Sequence, residues 1–250
     1  MAETENLSPL KQALLQLRQM RAQLDDVERA RTEPIAVIGM GLRLPGGAVD
    51  PESMWEMLRA GTDAVTEVPA DRWDVDAYYD ADPTAPGKMT TRYGAFIGDV
   101  SRFDAAFFGI APREAASLDP QQRLLLQVSW EALERAGQSP EKLAGSPTGV
   151  FVGFSNSDYF RQLFADPNQI DTYSTTGNAG SIAAGRLSYF LGLHGPCLTL
   201  DTACSSSLVA VHLAVQSLRR GECALALAGG VNLILSPEVH INFSKAQGMM

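Results

Sequence analysis

Apolar residues recur at two different spacings along this chain, and the spacings mark out its elements. Near the start, Leu7, Leu10, Leu14, Leu17 and Leu24 fall on alternating three- and four-residue steps, with gaps at Arg21 and Glu28. A stripe this narrow is the seam of a short coiled coil rather than the face of a core helix. Ser8 followed by Pro9 supplies a cap and a first turn. The expected partner is another copy or another chain, with folding back onto its own domain as the alternative. Residues 1–33 contain no Gly and no aromatic, so they read as an element separate from residues 34–250.

Beyond Pro34 the pattern changes. Residues 35–39, Ile-Ala-Val-Ile-Gly, read as a buried strand opening the globular region. Gly39 and Gly41 resemble the start of a dinucleotide fingerprint, but Leu44 stands where the third glycine belongs and Pro45 breaks the following helix, so they read as a tight turn. Asp50 and Pro51 start a helix expected to carry Met54, Trp55 and Leu58 inward. Residues 69–94 hold no period and read as a long ordered loop, pinned by Trp73, Tyr78 and Tyr79. Asp76, Asp80 and Asp82 lack the glycine and final glutamate of a calcium loop and read as a solvated acidic face. Asp119 and Pro120 begin the clearest helix, running through Leu124, Leu125, Val128, Leu133 and Ala136 to a stop at Gly137. Continuous apolar runs at 148–153, 198–201 and 225–235 read as buried strands separated by helical stretches, which means α/β.

Composition narrows the class of function. The chain has 250 residues, 45% hydrophobic and 20% charged, enough for a substantial core. A net charge of -9 argues against a nucleic-acid or anionic-membrane partner. No apolar run reaches membrane-spanning length and the N-terminus is unlike a signal peptide, so a cytoplasmic protein is expected. The three cysteines, Cys197, Cys204 and Cys223, have neither metal-ligand spacing nor an even count. Cys197 and Cys223 read as core thiols.

Cys204 differs from the other two. It stands where the strand ending at Asp201 meets small residues, after which Leu208, Val211, Val215 and Leu218 recur at helical spacing, so a helix is expected to begin within a residue or two of it. Free N–H groups and the positive end of the dipole at a helix N-terminus favour an anionic nucleophile and could stabilise an oxyanion on an attacked carbonyl. A buried structural cysteine is the competing reading at this stage.

The wording around Cys204 adds to this. Asp201-Thr202-Ala203-Cys204-Ser205-Ser206-Ser207 resembles the nucleophile motif of the β-ketoacyl synthase domains of modular type I polyketide synthases. The stretch from Gly180 to Leu193, Asp119-Pro120-Gln121-Gln122-Arg123 and Ile38-Gly39-Met40-Gly41 resemble the same family, so the likeness covers about residues 34 to 250. The resemblance implies a thiolase-like fold, with this chain as the N-terminal half of a five-layer αβαβα architecture. It also implies an acyltransferase that loads an acyl group on Cys204 and then condenses it, with decarboxylation, onto a malonyl-type extender. The substrates would ride on the phosphopantetheine of acyl carrier protein, with no cofactor bound by this region. Residues 1–33 resemble the docking segments that precede such domains, which implies an upstream polyketide synthase subunit as partner of residues 7–28. The run 175–180 would lie at the twofold axis of a homodimer.

The family's two catalytic histidines belong to the second half of the domain. His194, His212 and His240 match neither, so none is assigned, and residues 1–250 alone are expected to be inactive in condensation. The alternatives are a degradative thiolase and a docking or dimerisation fragment without activity of its own. Papain-like proteases and serine hydrolases lack their signatures here.

Overall fold

The computed structural model describes residues 8–246. Helix α1 (Pro9–Thr32) is continuous and opens with the Gln12 N–H donating to the Ser8 carbonyl at 3.0 Å. Leu10, Leu14, Leu17 and Leu24 all remain exposed. The stripe therefore does not pack on this chain's own body, and the coiled coil read from it is not formed within the chain; Leu7 lies outside the described residues. After extended chain and a turn at Pro45–Gly47, α2 (Pro51–Ala60) is held by a capping box. The Ser53 N–H donates to Asp50 at 2.7 Å, and the Asp50 N–H donates to the Ser53 hydroxyl at 3.2 Å. Then come β1 (Thr66–Glu67), α3 (Val75–Tyr78) and β2 (Tyr93–Gly94), with β1 and β2 antiparallel.

The rest of the chain builds one α/β unit from α4 (Pro112–Ser117), α5 (Pro120–Arg135), α6 (Pro140–Leu143), β3 (Thr148–Phe154), α7 (Asp158–Phe164), α8 (Ser174–Asn178), α9 (Gly180–Leu191), β4 (Cys197–Leu200), α10 (Ser206–Arg219), β5 (Leu225–Val231) and α11 (Glu238–Ala246). The sheet is parallel in the order β4-β3-β5, with Val150 opposite both Cys197 and Leu227. Parallel strands need long crossovers, and helices supply them. Alternation along β3 sorts its side chains between two helical layers. Val150, Val152 and Phe154 join Leu125 and Leu126 of α5 and Leu187 and Leu191 of α9, while Phe151 meets Ala210 and Ala214 of α10 on the opposite face. Every residue of β3 is buried, as a central strand requires.

Three expectations change. Residues 35–39 lie outside any sheet, and Ile35, Val37 and Ile38 are exposed. Their strand-like composition is not matched by pairing with any of the three strands of the sheet, and their backbone runs instead against α5 at Ala132 and Val128. The glycines there serve close approach rather than a turn: a Cβ on Gly39 would lie 2.3 Å from the Ala132 carbonyl oxygen, and one on Gly41 2.0 Å from that of Val128. The turn comes later, where Gly46 and Gly47 adopt φ of 79° and 83°. On α2, Trp55 and Leu58 face solvent, because the helix leans on the Gly46 turn through Met57. The 69–94 loop is pinned as expected, but by Trp73 and Met89, which bury together with Val68; Tyr78 stays partly open. Among the described residues no helix is long and apolar enough to cross a membrane, and no group of His, Cys, Asp and Glu is arranged to hold a metal ion.

Candidate active site at the β4–α10 turn

Between the end of β4 and the start of α10, residues 201–205 turn the chain sharply. Ala203 adopts φ of 54°, alone among the described non-glycine residues. A side chain in that region costs about 1 kcal/mol or more, so the surroundings must hold it there. Asp201 Oδ1 accepts from the Ala203 N–H at 2.9 Å and from the Ser155 hydroxyl at 2.7 Å. These two donors hold the Asp201 carboxyl below the usual carboxylate range. The buried Ser206 hydroxyl accepts from the Thr202 N–H at 2.8 Å and donates to the Ala203 carbonyl at 2.7 Å. The Ser205 hydroxyl donates to the Thr202 carbonyl at 2.8 Å.

Two glycines let the helix come down onto the strands. Gly153 of β3 and Gly230 of β5 pair directly across the sheet. A Cβ on Gly153 would stand 2.8 Å from the Ser206 backbone and the Ser207 nitrogen, and one on Gly230 would stand 2.8 Å from the Ser207 Cβ. The first turn of α10 thus rests on bare backbone, and the residue just before it, Ser205, follows Cys204. The Cys204 thiol is exposed, and its backbone N–H takes no acceptor among the described residues. A thiol beside an unpaired N–H at a helix N-terminus combines a nucleophile with a donor for an oxyanion.

The other cysteines diverge from each other. Cys223 is buried, with its thiol 3.3 Å from the Ser217 hydroxyl, as expected. Cys197 is exposed instead, because it lies on the edge strand; partial desolvation still pushes its thiol up, offset by the Ser188 hydroxyl. The histidines are scattered. His194 and His212 are exposed, while His240 lies edge-on to Trp73 with ring centres 5.7 Å apart. Burial pushes His240 down, against a weaker opposing pull from Asp158. The Thr175 to Gly180 run is partly internal: Gly177 and Asn178 are buried, and a Cβ on Gly177 would lie 2.3 Å from the Ser117 carbonyl oxygen. A cavity of about 260 Å³ lies elsewhere, between Arg43, Leu124, Val128, Leu233 and Ile234, and shares with the floor of α10 only Gly230.

Sequence reading missed Ser155 and the loop it opens. Residues 155–158 fan out from the end of β3: Ser155 to Asp201, the Asn156 carbonyl to Gln121 Nε2 at 2.7 Å, Ser157 to Asp119 at 2.7 Å, and Asp158 to the Leu235 N–H at 2.9 Å. The signal was a run of small cap-forming residues right after an apolar strand. Asp119, wholly buried at the start of α5, is raised by burial against the pull of its hydrogen bonds.

Comparison with known proteins agrees with this geometry. The family model "Beta-ketoacyl synthase, N-terminal domain" matches residues 32–250. A phenolphthiocerol/phthiocerol polyketide synthase of Mycobacterium tuberculosis is 57% identical over 223 residues, 89% of this chain and 14% of that protein. Pikromycin polyketide synthase component PikAII of Streptomyces venezuelae is 48% identical over 248 residues, 99% of this chain and 7% of that protein. Among solved structures, an oxazolomycin ketosynthase domain of Streptomyces albus matches with a TM-score of 0.78 and 40% identity, covering 84% of this chain and 37% of that one. The ketosynthase from module 6 of the bacillaene synthase of Bacillus subtilis gives 0.73 and 38%, covering 86% and 34%. The chain therefore spans a small part of these relatives and about a third of each solved ketosynthase. With the thiolase-like fold of those ketosynthases and a family match that runs from the end of α1 to residue 250, this chain belongs to the β-ketoacyl synthase family, as its N-terminal domain.

Proposed function

We propose that this chain is the nucleophile-bearing half of a ketosynthase in a modular polyketide synthase, and that Cys204 is its acyl acceptor. The thiolate attacks the carbonyl carbon of an acyl thioester on the phosphopantetheine of acyl carrier protein. The carbon–sulfur bond to the carrier breaks, and the carrier thiol leaves with a proton. The second step joins the acyl group to the carbanion left when a malonyl-type thioester loses carbon dioxide, and returns the Cys204 thiolate. The observation that carries this reading is the exposed Cys204 thiol beside an unpaired N–H at the foot of α10. The relatives named as polyketide synthases support the substrate class.

The division into a docking segment, 1–33, and a synthase region, 34–250, belongs to the same proposal, with a cytoplasmic location. The exposed leucine stripe of α1 supports docking of residues 7–28 to an upstream polyketide synthase subunit. The homodimer reading stays with the 175–180 run, where Thr175 and Thr176 are exposed although Gly177 and Asn178 are taken up internally. By itself the 250-residue chain would not condense, since none of its three histidines matches a catalytic histidine of the family and none hydrogen-bonds to residues 201–205 among the described residues.

The test is mass mapping after incubation with an acyl N-acetylcysteamine thioester. An adduct on Cys204 alone is expected. An adduct on Cys197 or Cys223 in its place would overturn the site.

A further inference from the structure

We propose that Asp201 and Ser155 are positioning residues that hold Cys204 in its reactive placement through the strained backbone of Ala203. The inference rests on Cys204 being the nucleophile and adds what keeps it in place. Asp201 is ionised and exposed, and its partners are two donors, the Ala203 N–H and the Ser155 hydroxyl, rather than a cation. One donor is the residue at φ 54° just ahead of Cys204. The other is the first residue beyond β3, the fully buried central strand. A continuous line thus runs from the central, fully buried strand of the sheet through Ser155 and the carboxylate to the one described non-glycine residue in left-handed conformation.

The physical need for such a clamp is specific. Released, Ala203 would relax toward the ordinary right-handed or extended regions. That rotation reorients the peptide between Ala203 and Cys204, which carries the unpaired Cys204 N–H, and swings the thiol with it. Ser206 cannot prevent this by itself, because it holds the Ala203 carbonyl and the Thr202 N–H but not the Ala203 N–H. A charged acceptor suits the task, since hydrogen bonds to an ionised group are about twice as strong as neutral ones.

The experiment uses the 250-residue chain and iodoacetamide, with Cys197, exposed in the same molecule, as internal reference. In the wild type Cys204 is expected to alkylate faster than Cys197. Asp201→Ala should slow Cys204 by about tenfold, the factor that ~1.4 kcal/mol of lost positioning produces, with Cys197 unchanged. Ser155→Ala should slow it by about threefold, the scale of one neutral hydrogen bond. Asp201→Asn and Ser155→Thr keep an acceptor and a donor and should recover most of the rate, a rescue that a purely structural loss would not give. Ala203→Gly removes the strain, since glycine accepts positive φ freely, and in that background Asp201→Ala should lose most of its effect. If Asp201→Ala alters folding, shown by its melting transition, Ser155→Ala decides alone. A wild-type Cys204 rate in folded Asp201→Ala, or an undiminished effect in the Ala203→Gly background, overturns the clamp while leaving the nucleophile intact. A wild-type Cys204 no faster than Cys197 overturns the nucleophile reading and the clamp with it.

Discussion

Gly153→Ala puts the seat of α10 under direct test. Gly153 lies in the fully buried strand β3, and its added methyl would meet the Ser206 backbone carbon, the Ser206 Cβ and the Ser207 nitrogen, all at 2.8 Å. Carbon atoms rest at about 3.5–4.0 Å, so the first turn of α10 must lift by roughly 0.7 Å or more. Two of the three atoms are backbone, and no rotamer change relieves them. Overpacking of this kind costs about 1–3 kcal/mol, against a gain of roughly 0.5–1 kcal/mol from replacing glycine in a strand. The net is a loss of up to about 2.5 kcal/mol, which in a domain of this size lowers the melting temperature by up to roughly 10 °C. Gly229→Ala is the control: it sits one residue from Gly230 on β5, has ordinary φ, and a Cβ there meets nothing within 4 Å. Thermal unfolding by circular dichroism, with iodoacetamide labelling of Cys204, gives both readouts. The variant should unfold earlier than Gly229→Ala and label Cys204 at an altered rate. Equal melting and equal labelling of the two variants would refute the claim that α10 needs bare backbone beneath it.

Three further outcomes are expected. Burial holds His240 below the usual imidazole range, so the folded chain keeps it neutral where the unfolded chain takes up a proton. Its contribution is present above pH ~6.5 and is lost as the pH falls below it; His240→Phe should flatten urea-unfolding stability between about pH 7 and 5, and parallel curves for the two proteins would contradict this. Leu126→Ala, at a wholly buried α5 position, should cost about 2–5 kcal/mol in the same assay, and a cost below that of a surface substitution would remove α5 from the core. Leu14→Glu and Leu17→Glu on the open stripe of α1 should leave the melting temperature within about 2 °C of wild type while abolishing any self-association measured by sedimentation. A large fall in melting temperature would show that the stripe packs on the body after all.

Local rules were legible where they close within a few residues. Asp50 and Asp119 cap the helices their sequence announces, Gly137 ends the second in left-handed conformation, and α10 starts two residues after Cys204. The strands at 148–154, 197–200 and 225–231 follow from uninterrupted apolar runs. What failed depended on partners distant in sequence. Ile35, Val37 and Ile38 have the composition of a buried strand, but the chain there runs against α5, at Gly39 and Gly41, rather than along a strand of the sheet. Trp55 and Leu58 satisfied helical spacing, yet which stripe of α2 turns inward was decided by the Gly46 turn. Cys197 was read as buried from its type, and its position on an edge strand could not be seen before the strand order was known. At the site, Cys204 stood out through its neighbours in sequence. Ser155 did not, because it reaches Asp201 across the sheet and nothing in the intervening residues announces the contact.

The parallel register of the sheet has a consequence for how the chain acquires its site during synthesis. Thr148 pairs with Leu225 and Gly153 with Gly230, so β5 joins β3 only after β4, the Cys204 turn and all of α10 have been made. Pairings of such long sequence separation are slow, since the chain must close a large loop before any contact rewards it. On the ribosome, where residues emerge at about 5–20 per second, Cys204 leaves the exit a second or more before Gly230 can complete the floor beneath α10. Cys204 is therefore made before the strand that supports its helix. During that interval Ser155 and Asp201, both already synthesised, can close their part of its holding arrangement without waiting for β5.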